Sequence, residues 1–137
     1  MGTQIKSIPP EVTWPLRQAV MWPDKPLDYI KLPKDHQGMH FGLFRDGELV
    51  SVGSLFINDG TAQFRKLATK TSEQGKGYGS KILVFLLKEA QHNGVAMIWC
   101  NARQDKAGFY KKFGLIETSK TFTKGNIDYV IMEKVLL

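Results

Sequence analysis

The chain has 137 residues, 42% hydrophobic and 23% charged, with one cysteine and a formal net charge of +6. That length predicts a single domain over 1–137, able to bury about two thirds of its unfolded surface without staples. One cysteine excludes an internal disulfide and fits a reducing cytosol, while the positive charge points to an anionic partner without naming it.

The N-terminus MGTQIKSIPP lacks an apolar core of signal length. Lys6 stands where a myristoylation signal needs Ser or Thr. The longest apolar run, ILVFLL, is too short to cross a bilayer. The expectation is a cytoplasmic protein with no membrane partner.

Gln4 to Ile8 alternates weakly, as a first strand. Pro15 suits the first turn of a short helix reaching about Trp22, and Pro23 ends it. Residues 23–37 read as an irregular polar excursion. Met39 to Arg45, Leu49 to Ile57 and Ala62 to Thr69 are strand-like, separated by Asp46-Gly47 and Asn58-Asp59-Gly60. Asp-Gly between apolar runs is a hairpin signal, so the middle is an antiparallel meander. After a glycine-rich stretch, Ile82, Leu83, Leu86, Leu87 and Ala90 fall at helical spacing, and Asn93-Gly94 stops that helix. Val95 to Cys100 is continuously apolar, as a strand buried on both faces. Cys100 reads as an inert core thiol. Asp105 to Phe113 reads as a short helix closed by Gly114. Leu115 to Phe122 and Ile127 to Val135 form a last hairpin around Lys124-Gly125-Asn126. The order predicts an α+β domain, with helices flanking a mixed, mostly antiparallel sheet.

The stretch QGKGYG, Gln74 to Gly79, places three glycines where a helix is about to begin. Each weakens a helix, so something must approach the backbone closely. The first N–H groups of a helix lack partners and favour an anion. The stretch reads as a phosphate cradle. It is no dinucleotide fingerprint, because Ser80 stands where the third glycine belongs, and no P-loop, because Gly79-Ser80-Lys81 has the wrong order.

The pattern Gln-x-x-Gly-x-Gly at Gln74, Gly77 and Gly79 resembles the pyrophosphate-binding motif of the GCN5-related N-acetyltransferases, the GNAT superfamily. The resemblance covers nearly the whole chain in the expected element order. WPDKPLD, FRKLAT and WCNAR with AGFYKKFGL are most similar to the branch containing glyphosate N-acetyltransferase. It implies acetyl-CoA as co-substrate, no metal, and direct transfer to an amine. It assigns the cofactor's phosphates to Gln74, Gly75, Lys76, Gly77, Tyr78, Gly79 and Ser80, with Lys70 and Lys81 flanking. It gives Leu67, Ala68 and Thr69 backbone bonds to the pantetheine, with the Leu67 N–H as oxyanion donor. Asn101 stands beside the pantetheine by resemblance, or caps a strand end. Lys112 reaches toward the phosphates. Tyr110 is the implied general acid, since a phenol is protonated at neutral pH.

Arg65 and Arg103 match positions that hold an anionic substrate in that branch, where guanidinium forks suit carboxylates. Ion pairs with Glu48, Asp105 or Glu117 are the plain alternative. The chain departs from the branch twice. Trp22 replaces a further arginine, and Tyr129 occupies the place of the histidine base. A phenol is a poor base at pH 7. Asp128 should point to the other face of a regular strand, and His36, His40 and His92 read as surface or packing residues. The base stays unassigned.

Other functions compatible with the residues are an acyl-CoA-binding protein with little catalysis and a peptide-amine acetyltransferase. A nucleic-acid module is not expected, because no basic stretch interleaves with aromatics. The run VIMEKVLL offers a strand for a homodimer, or serves as an ordinary core strand.

Overall fold

The computed structural model describes residues 2–136; Met1 and Leu137, the ends of the expected domain, lie outside them. Seven strands form one sheet: β1 (Thr3–Ile8), β2 (Met39–Arg45), β3 (Glu48–Asn58), β4 (Thr61–Thr69), β5 (Met97–Arg103), β6 (Ile116–Lys124) and β7 (Ile127–Val135). The helices are α1 (Pro10–Met21), α2 (Leu27–Ile30), α3 (Tyr78–His92) and α4 (Ala107–Lys111). The spatial order is β1-β2-β3-β4-β5-β7-β6, and only β4 and β5 are parallel among neighbours. The α+β expectation and the antiparallel meander hold.

One face of the sheet carries α3 and α4. Ile82, Leu83, Leu86 and Ala90 of α3 and Ala107 of α4 pack on Leu55, Ala62, Phe64, Ile98, Cys100 and Ala102. Burial pushes the Cys100 thiol up to about 12, as an inert core thiol requires. The opposite face carries α1.

Three expectations change. The first helix begins at Pro10, not near Pro15. Pro10 takes the first helical position, where a missing N–H costs nothing. Pro15 then lies inside the helix and leaves the Glu11 carbonyl without its usual donor. Buried Thr13 and Arg17 hold the helix on the sheet regardless. The excursion at 23–37 contains α2 and a 3-10 turn at Asp35–Gln37. The strand expected to be buried on both faces alternates instead: Ile98, Cys100 and Ala102 are buried, while Trp99, Asn101 and Arg103 on the α1 side are more open. No helix among the described residues is long and apolar enough to cross a membrane.

Candidate active site

β4 and β5 pair over only three positions, Thr61↔Met97, Ala62↔Ile98 and Gln63↔Trp99. Beyond Gln63 the two parallel strands separate, and from Phe64 onward β4 has no partner on that side among the described residues. Unpaired strand edges present N–H and C=O groups ready to bond an extended ligand. The result is a slot through the sheet, edged by Leu67, Ala68 and Thr69 on one side and Asn101 to Arg103 on the other.

The edge of β4 is further shaped by a bulge. Val52 pairs with Ala68 and Ser54 with Arg65, so Lys66 and Leu67 together oppose Gly53. Lys66 holds φ +58, a left-handed conformation inside a strand. A Cβ at Gly53 would come within 2.7 Å of both Leu67 and Ile82, so only glycine lets the bulge seat against α3. Bulges leave one residue's backbone groups out of the ladder, here within Lys66–Leu67.

On the α3 side of the slot lies the glycine stretch. Gly77 is the residue before α3, with φ +85, and Gly75 holds φ +81. Among the described residues, nothing beyond the adjacent residues lies within 4 Å of where a Cβ would project from either, so backbone turn and open space, not packing, account for them. The N-terminus of α3 carries no side-chain cap and no acidic residue in its first turn. Its free N–H groups at Tyr78, Gly79 and Ser80 therefore face outward uncompensated. Gln74 donates from Nε2 to the Thr69 carbonyl at 3.1 Å, tying the loop to the end of β4. Ser51 Oγ lies 2.9 Å from Thr69 Oγ1 and fixes the same corner. Below the loop, buried Glu73 pairs with Lys76 at 2.6 Å and with Arg45. The Lys76 hydrogen bond and Arg45 hold the Glu73 carboxyl below its ordinary value. Lys70 pairs with Glu48. The expected phosphate lysines Lys70 and Lys76 thus already carry partners; Lys81 and Lys112 are exposed.

Tyr110 on α4 leans over the slot from the same side. Its ring lies 5.7 Å from Phe64 of β4 and 5.2 Å from Phe109. Burial, with Cys100 adding and Arg103 opposing, pushes its phenol up to about 12. The ring's only close aromatic neighbours are Phe64 and Phe109, and no hydrogen bond reaches the hydroxyl among the described residues. It is a neutral phenol with no protein partner among the described residues.

The α1 side is different in kind. Arg65 shares a face with Ser54, its register partner, and Arg103 shares one with Tyr129. Neither arginine forms an ion pair among the described residues. The carboxylates that offered the alternative are taken or exposed: Glu48 by Lys70, Glu117 by Lys111, with Asp105 at the surface. Burial and Arg17 lower the Arg65 guanidinium, yet an arginine stays charged at neutral pH. Burial, then Arg65, Arg17 and Lys124, push the Lys66 ammonium down to about 8. Tyr129 stacks on Phe122 at 5.0 Å, walling this side. Asp128 accepts from Thr123 at 2.7 Å and is exposed, away from Tyr129. Asn101 is exposed and lies inside β5, two residues before its end, so it caps nothing. Trp22 packs edge-on against Tyr29.

A buried polar network supports this side, and the sequence reading missed it. Asp35 Oδ2 accepts from Arg17 at 2.8 Å, from the Leu32 N–H at 2.9 Å and from Trp14 Nε1 at 3.0 Å. Arg17 also donates to Ser54 at 3.0 Å. His40 Nε2 donates to the Asp35 carbonyl at 2.7 Å, which leaves Nδ1 to accept from Ser54 at 2.7 Å. His40 is therefore a locked core residue and not a base for the slot. Burial alone would raise the Asp35 carboxyl, but bonds from Arg17, Leu32 and Trp14 outweigh it and hold it low. Arg17, Asp35, His40 and Ser54 come from α1, the 3-10 turn, β2 and β3, and no local pattern joins them. Lys66 carried one hint: Gly53 inside a strand pattern suggests a bulge opposite.

The profile of the acetyltransferase (GNAT) domain matches residues 23–136. The uncharacterized N-acetyltransferase YitI of Bacillus subtilis (strain 168) is 30% identical over 147 residues, covering 97% of this chain and 96% of the relative. A Lactobacillus plantarum protein assigned as an N-acetyltransferase superposes with a TM-score of 0.88 at 21% identity, over 100% of both chains. A Bacillus subtilis acetyltransferase in complex with CoA superposes with a TM-score of 0.79 at 18% identity, over 99% of this chain and 100% of that one. The chain belongs to the GNAT acetyltransferase family and is an N-acetyltransferase.

Proposed function

We propose that the protein moves the acetyl group of acetyl-CoA directly to the amine of a small molecule that also carries an acid group. The observation that carries this reading is the two-sided slot. Tyr110 and the uncapped α3 N-terminus lie on one side of the sheet, and two arginines without carboxylate partners lie on the other.

In this reading the N–H groups from Gly75 to Ser80 hold the pyrophosphate, and the β4 edge at Leu67 to Thr69 pairs with the pantetheine amides. The Leu67 N–H stabilises the tetrahedral oxyanion. Tyr110 gives its proton to the departing thiolate; burial keeps it protonated across the working range. Lys112 and Asn101 flank the cofactor as outer contacts. Arg65 and Arg103 orient the acceptor's acid group, with Tyr129 against its body.

Within the family we place the chain near the glyphosate N-acetyltransferase branch, on WPDKPLD, FRKLAT and AGFYKKFGL. Trp22 and Tyr129 set its acceptor apart from glyphosate. We read the chain as one domain acting in the cytoplasm.

The test is thiol release from acetyl-CoA with separate pools of acidic amino acids and aminophosphonates, polyamines, aminoglycosides and peptide amines. Release confined to the acidic pool supports the reading. Release only with polyamines or aminoglycosides overturns the acidic acceptor, release only with peptides favours a protein substrate, and acetyl-CoA binding without release favours a carrier.

A further inference from the structure

Among the described residues, four non-glycine residues hold positive φ: Asp46, Asp59, Lys66 and Asn126. Three of them are Asp or Asn beside a glycine in a hairpin turn, where that conformation is cheap. Lys66 is the exception. It is a lysine inside β4, at the bulge, and directly precedes Leu67 at the slot edge. Strained backbone of this kind persists where the surroundings force it and clusters at functional sites.

Lys66 also differs from the other two half-buried lysines, Lys31 and Lys134, in its partners. Lys31 holds Asp28 and Lys134 donates to the Phe113 carbonyl, whereas Lys66 forms no ion pair among the described residues. The charged groups that bear on it are Arg65 of β4, Arg17 of α1, Lys124 at the β6–β7 turn, and Asp35, which Arg17 already engages. They place it on the acceptor side, half-buried, in a field of like charge. The position that holds the base in the similar branch carries Tyr129, and Asp128 is turned away.

We propose that Lys66 is the catalytic base that takes the proton from the acceptor amine. The proposal rests on the direct-transfer reading above. The amine nitrogen bonds the acetyl carbon, its proton passes to the neutral Lys66 Nζ, the C–S bond breaks, and the thiolate takes the Tyr110 proton. Solvent removes the proton from Lys66 and returns one to Tyr110, so the cycle balances. Burial and like charge push the Lys66 ammonium down, so its neutral fraction grows as pH rises toward about 8. The same cationic surroundings disfavour the ammonium form of the acceptor.

The experiment is a pH profile of kcat/KM by thiol release for the wild type, Lys66→Gly and Lys66→Arg, with acetyl-CoA affinity measured by calorimetry. Glycine accepts φ +58 without strain, so this variant keeps the bulge. The wild type should show a rise with a midpoint near pH 8. Lys66→Gly should lose about 100-fold in kcat at pH 7 and lose that rise, with acetyl-CoA affinity unchanged. Lys66→Arg should not restore activity, because its guanidinium cannot give up a proton. A Lys66→Gly enzyme with wild-type rate and profile overturns the base. A wild type that transfers to no amine overturns the direct-transfer reading before any variant is made. A nitrogen NMR titration of Lys66 Nζ needs no acceptor: a midpoint near 8 supports the proposal, and one above 10 overturns it.

Discussion

The two sides of the β4–β5 slot are built by different means. On the α3 side, apart from the Tyr110 phenol, the groups that face the slot belong to the backbone: the N–H groups at the start of α3 and the edge of β4. On the α1 side they are side chains, Arg65, Lys66, Arg103 and Tyr129, delivered from three strands and backed by the Arg17–Asp35 pair. Backbone recognition tolerates change in most side chains but demands glycine where a ligand or a turn needs the room. Side-chain recognition can change partner with one substitution. On the proposed function, the first side takes the constant co-substrate and the second a variable acceptor.

That contrast can be broken one side at a time. The largest effect should come from Asp35→Ala. Removing one member of a buried ion pair costs about 3–5 kcal/mol, here measured as a lower denaturation midpoint. The same pair makes stability pH-dependent. The folded Asp35 carboxyl is held below its ordinary 3.8, so its contribution is complete above that pH and fades as pH falls through the lowered value. Glu73 adds a loss of the same sign below its ordinary 4.5. The acid limb of a melting profile should be shallower in Asp35→Ala. Next, Tyr110→Phe should lower kcat about 100-fold while acetyl-CoA affinity stays within a factor of about two, because general-acid help acts on the transition state. The smallest effect belongs to Gly77→Ala. A side chain at φ +85 costs about 1–2 kcal/mol, and acetyl-CoA binding should weaken by roughly 5- to 30-fold. The preference among acceptor amines should not move.

The sequence was most informative where the backbone does the work. The glycines of QGKGYG announced the helix start, and two of them, Gly75 and Gly77, hold positive φ just before it. Asp46-Gly47 and Asp59-Gly60 announced the meander. The first helix was misplaced because Pro15 reads as a starting residue, while burial of Thr13 and Arg17 lets the helix run through it. The acceptor side was only partly legible. Arg65 and Arg103 stood out by resemblance, but their freedom from carboxylates depends on Glu48 and Glu117 being engaged by Lys70 and Lys111 across the fold. The buried Arg17–Asp35–His40–Ser54 network joins residues with no shared periodicity, and the bulge at Lys66 follows from strand register, for which Gly53 on the facing strand is the one local hint.

The most direct measurement compares kcat/KM for an acidic amino acid with that for its uncharged amide, in the wild type and in Arg65→Ala. A charge-assisted hydrogen bond contributes about 1.5–3 kcal/mol, so the wild type should prefer the acid by roughly 10- to 150-fold and Arg65→Ala should lose most of that preference. Equal preference in both enzymes would contradict a cationic acceptor side.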